Sequence, residues 1–143
     1  MLGVLFSVIA GAAMSFQGVM NTRLGEKVGL YEANAFVQGT AFLLSLLALW
    51  VMGNGDLRAL GQANKGYLLG GALGLLITVM VMLGLGQLRP VVAISVILIS
   101  QLCVAALIDA LGWLGTEPVP FHFTKFIGLA LMIGGVLLFK LKS

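Results

Sequence analysis

The chain has 143 residues, 60% of them hydrophobic and 9% charged, with a formal net charge of +3. A soluble domain carries about 25% charged residues, so this composition and a mean hydropathy of +1.12 exclude an ordinary soluble fold and predict an all-α integral membrane protein. The eight Lys and Arg are scattered among helix ends rather than clustered on a face, which gives no nucleic-acid signal and reads them as topology determinants.

The first apolar run, predicted to span 2–21, has nothing basic before it and Arg23 and Lys27 after it. That order predicts a retained helix starting outside, not a signal peptide. Gly3, Ser7, Gly11, Met14, Gly18 and Asn21 recur at spacings of four and three, with Gln17 alongside, while Leu5, Ile9, Ala12, Phe16 and Val19 cover the other side. One face is small and polar and the other faces lipid.

The second run, 30–52, opens with Glu32, Asn34 and Gln38 before turning wholly apolar. Asn34 and Gln38 are four apart and share a face, whereas Glu32 lies about 120° from Gln38 and is expected to be solvated. Asn54, Gly55 and Asp56 make a turn, and a hydrophilic loop leads to the third run, 66–87. There Gly66, Gly70, Gly74 and Thr78 repeat every four residues, the signature of a helix packed tightly on a neighbour. Gln87–Pro90 is a short connection, so the third and fourth helices are expected to form a hairpin.

The fourth run, 91–112, is an almost unbroken apolar stretch of about 20 residues, the length a bilayer core demands. Gln101 at mid-depth and Asp109 near its end are eight apart, within about 80° of each other. A glutamine there must face protein or a wet cavity, and an intramembrane aspartate is by default a functional-site hypothesis. Both also fit a plainer reading, Gln101 as a hydrogen bond between helices and Asp109 at headgroup depth.

A surface loop with Pro118 and Pro120 follows. The last run, 124–141, holds fourteen apolar residues between Lys125 and Lys140, about 21 Å of helix, and spans if those lysines snorkel. Gly128, Gly134 and Gly135 suggest a close-packed partner. Tyr31, Trp50, Tyr67 and Trp113 all fall at predicted helix ends, as an aromatic belt requires.

One cysteine, Cys103, excludes a disulfide within the chain. Neither it, His122 nor the seven methionines have metal-site spacing, so no metal or cofactor is expected. Gly53-Asn54-Gly55-Asp56 matches the Gly-x-Gly-Asp pattern of membrane aspartyl proteases, but it lies in a loop and Asp109 has no preceding tyrosine. A glycine turn is the better reading, and no enzyme is expected.

GAAMSFQGVMNTRLGEKVGLYEANAFVQGT, ISQLCVAALIDALGWLG and FIGLALMIGGVLL resemble the YdcZ-type branch of the drug/metabolite transporter superfamily, nearly end to end. The most specific elements are Gln17-x3-Asn21, the Ala-Phe-Val-x-Gly-Thr start of the second helix, and Gln101 followed by Ile108-Asp109 and Gly112. Gln38 departs from the phenylalanine common in relatives. The resemblance implies a five-helix half-unit of a ten-helix inverted-repeat transporter in the bacterial cytoplasmic (inner) membrane. The four-helix small multidrug resistance cousins use a first-helix glutamate for proton exchange, whereas here that helix offers Ser7, Ser15, Gln17 and Asn21.

The expected function is small-molecule transport through a cavity lined by Gln17, Asn21, Asn34, Gln38, Gln101 and Asp109. Neutral amides suit a polar or zwitterionic solute better than a cationic one, since Asp109 alone could supply a counter-charge. The rival is a non-transporting membrane subunit whose amides glue helices together. Arg23, Lys27, Arg89, Lys140 and Lys142 fall on one side, against Arg58, Lys65 and Lys125 on the other, a mild bias toward an inside C-terminus. With no internal repeat, alternating access needs a second chain, so an antiparallel homodimer, or a heterodimer with a similar chain, is expected among membrane lipid.

Overall fold

The computed structural model describes residues 2–119 and 122–141, with side chains through Phe139. Every regular element among them is helical. In chain order these are α1 (Leu2–Val28), α2 (Leu30–Met52), two 3-10 turns (Leu57–Gln62 and Lys65–Leu69), α3 (Gly70–Gln87), α4 (Pro90–Leu111), a short 3-10 turn (Trp113–Gly115) and α5 (Phe123–Leu141). Four stretches are long and apolar enough to cross a membrane: Leu2–Val28, Leu30–Met52, Lys65–Gln87 and Pro90–Leu111. The apolar part of α5, Phe123–Phe139, is shorter. Pro120 and Lys142 and the side chain of Lys140, which enter the loop, topology and snorkelling expectations, lie outside the described residues.

The first helix continues for two turns past the apolar run because Arg23, Glu26 and Lys27 end a membrane span without ending a helix. Arg23 pairs with Glu26 at 2.9 Å across one turn, a solvent-exposed pair worth a few tenths of a kcal/mol, about 0.3–0.5. Gly29 stops the helix. Its φ of 105° and ψ of 150° are open essentially to glycine, and its N–H donates to Gly25 O at 2.9 Å while its O accepts from Ala33 N at 3.0 Å. One residue thus turns the chain from α1 into α2.

Two compact units divide the chain, residues 1–86 and 87–143. In the first, α1 and α2 run with their backbones close together, and α3 joins them through side chains. A Cβ built on Gly18 would stand 2.9 Å from Leu85 Cδ1 and 3.2 Å from Val81 Cγ1, and one on Gly25 would stand 2.6 Å from Met82 Cε. The buried residues of this unit are Gly18, Asn21 and Thr22 of α1, Ala33 and Asn34 of α2, and Val79, Met82 and Leu85 of α3.

In the second unit α4 packs on α5. Pro90 occupies the first turn of α4, where its missing N–H costs nothing. Gly112, left-handed at φ 63°, ends the helix with its N–H on Ile108 O, the usual glycine stop. The following loop folds back on the helix end, Val119 N donating to Asp109 O at 2.8 Å and Thr116 Oγ1 to Trp113 O at 2.9 Å. The first unit thus holds α1, α2 and α3, and the second α4 and α5.

Candidate functional site

Of the six polar residues singled out in the sequence, Gln17, Asn21, Asn34 and Gln38 belong to the first unit, and Gln101 and Asp109 to the second. Asn21 and Asn34 are the buried pair, 7% and 3% exposed. Helix arithmetic explains Asn21: it lies one turn from Gly18, and Gly18 carries no side chain to hold Leu85 and Val81 away. Asn34 follows Ala33, a second small residue, whose Cβ is 3.9 Å from the point where a Gly25 Cβ would stand. Small residues draw the three helices together, and the neighbouring amides are buried as a consequence.

Thr22 is buried beside Asn21, a residue the sequence reading passed over. Its hydroxyl donates to Gly18 O at 2.8 Å and so is satisfied within its own helix. Its spacing of four from Gly18 was the available signal. Gln38 is half-buried and reaches α3, its Nε2 donating to Thr78 Oγ1 at 3.5 Å while Thr78 Oγ1 donates to Gly74 O at 2.9 Å. At that length the glutamine bond is weak. Asn34 Oδ1 is buried with no hydrogen-bond partner among the described residues.

Gln17 and Gln101 are exposed on their helices and Asp109 is half-buried in the last turn of α4. A carboxylate there meets the negative end of the helix dipole, an arrangement that costs about 0.3–1 kcal/mol. Asp56 and Asn64 are turn-formers: Asp56 accepts Arg58 N and Asn64 accepts Gly66 N, each at 2.9 Å. Among the described residues no group of three or more His, Cys, Asp or Glu could hold a metal.

The glycines expected to seat neighbouring helices divide in two. Gly18 and Gly74 meet side chains of their own unit and Gly66 the Asn64 side chain, whereas among the described residues a Cβ on Gly3, Gly11, Gly70, Gly128, Gly134 or Gly135 would meet nothing within 4 Å. Gly25, which was not among those expected, meets Met82.

Residues 2–138 match the family described as "Putative inner membrane exporter, YdcZ". The chain belongs to this family. Comparison with curated proteins and with solved structures finds no match. A match over almost the whole length joins both units of this YdcZ-type chain to one family of multi-pass membrane proteins, and the apolar helices agree with it.

Proposed function

We propose that the chain is a small-molecule transporter of the bacterial inner membrane, working with alternating access as an antiparallel dimer or beside an oppositely inserted chain of similar sequence. The observation that carries this reading is the family match to inner membrane exporters. Two buried, uncharged amides in the first unit, Asn21 and Asn34, support a polar solute site there, with Gln17 and Gln38 as further lining from that unit; Gln101 and Asp109 are the polar positions the second unit would contribute to transport. The open glycines of α1, α3 and α5 support a second chain, because small-residue faces in membranes are places where another helix can approach. A transporter built from inverted repeats needs two halves, and this chain supplies one.

A second reading, a non-transporting subunit, has one observation in its favour: the Gln38–Thr78 bond uses a predicted cavity residue to tie α2 to α3. Water access separates the two. Cysteines placed at 17, 38 and 101 should react with water-soluble thiol reagents in intact membranes if the polar side chains line a wet cavity. Three unreactive positions would favour the glued bundle and end the transport reading.

A further inference from the structure

Burial and hydrogen bonding disagree at Asn34. Its side chain is 3% exposed, and Oδ1 has no partner among the described residues. An unsatisfied buried amide costs about 1–3 kcal/mol, and nearly all buried polar atoms in native proteins are paired. No donor of the described residues reaches it: Thr22 Oγ1 donates to Gly18 O, and Gln38 Nε2 makes its one long bond to Thr78 Oγ1. Asn21 is itself buried. The acceptor is open to a donor that comes from outside the chain.

The surroundings select the donor. No carboxylate of the first unit is buried in the cluster: Glu26, Glu32 and Asp56 are all exposed, and Glu26 is held by Arg23. A cation brought here would lie unpaired in a low dielectric, at a cost far above that of a neutral group. An uncharged N–H meets a neutral amide oxygen without that cost.

We propose that the Asn34 amide is a binding site for uncharged N–H donors of the amide and urea class. The proposal rests on the transport reading and names the solute class for it.

The test uses the full chain in proteoliposomes, with labelled nicotinamide and acetamide as neutral probes and guanidinium and tetramethylammonium as cations, in binding and counterflow. Wild type should prefer the amides. Asn34→Leu, which keeps the volume and removes the acceptor, should lose amide binding about tenfold or more while its unfolding temperature is unchanged or higher. Asn34→Asp should shift preference toward guanidinium. A preference of wild type for the cations, or amide binding retained in Asn34→Leu, overturns the proposal and leaves transport standing. A lower unfolding temperature for Asn34→Leu makes Asn34 a structural group and overturns it too. Counterflow of no probe, together with unreactive cysteines at 17, 38 and 101, removes the transport reading and this site with it.

Discussion

The methyl end of Met82 lies 2.6 Å from where a side chain on Gly25 would begin, while Gly18 on the same helix faces Leu85 Cδ1 at 2.9 Å and Val81 Cγ1 at 3.2 Å. The two glycines therefore tolerate a methyl differently. Met82 can rotate away, so Gly25→Ala should be near neutral or stabilising by about 0.5 kcal/mol, as a helix gains from replacing glycine. Valine is stiff at χ1, so Gly18→Ala should destabilise by about 1–3 kcal/mol. Thermal unfolding in detergent ranks them, and an equal loss in both would contradict the packing described.

Gly29 should be the least replaceable glycine. Its φ of 105° strains any other residue by about 1–3 kcal/mol, and an added Cβ would also collide with the Glu32 carboxylate. Gly29→Ala should lower the unfolding temperature, and Glu32→Ala in the same chain should restore part of the loss. Full restoration would show that the backbone conformation itself is not strained.

Asn21→Ala and Gln101→Ala should reduce transport of a solute the wild type carries while leaving the protein inserted and folded, because a polar contact in a membrane is worth only about 0.6 kcal/mol on average. Asp109→Asn removes a charge from the unfavourable end of α4 and should hold or raise stability by up to about 1 kcal/mol. Unchanged transport in that variant would assign Asp109 to headgroup anchoring. Loss of folding in all three would favour the glued subunit.

The antiparallel arrangement predicts distinct crosslinks. Single cysteines in the Gly53–Lys65 loop and in the C-terminal tail should link loop to tail between chains, and paired reporters should place some or all C-termini inside. Efficient loop-to-loop links without loop-to-tail links would show parallel packing.

Asp56→Ala removes the side-chain acceptor for Arg58 N and should loosen the Leu57–Gln62 turn by about 1 kcal/mol without changing transport. Abolished activity would give Asp56 a chemical role that its turn position does not.

The helical membrane class was legible because apolar runs of spanning length announce themselves, and Tyr31, Trp50, Tyr67 and Trp113 marked the ends where they now lie exposed. Asn21 was legible as a polar residue on a small face and Asn34 as one sharing a face with Gln38. The reading could not tell them from Gln17 and Gln101, since periodicity gives the residues that share a face and not the face that meets a partner within the chain. Gly3 and Gly18 belong to one stripe in the sequence, yet Gly18 meets α3 and Gly3 meets nothing. Met82 and Leu85 were invisible as the partners of Gly25 and Gly18 because an apolar residue in an apolar run carries no mark.

Helix length has a further consequence. α5 has 19 residues, about 28 Å at 1.5 Å each, with Lys125 near its start, whereas the stretches Leu2–Val28, Leu30–Met52, Lys65–Gln87 and Pro90–Leu111 have 27, 23, 23 and 22. Lipid thickness acts on the shortest segment first, through thinning of the bilayer or stretching of flanking side chains at a fraction of a kcal/mol per ångström, about 0.1–0.5. A membrane-spanning α5 would therefore fit a thin bilayer better than a thick one.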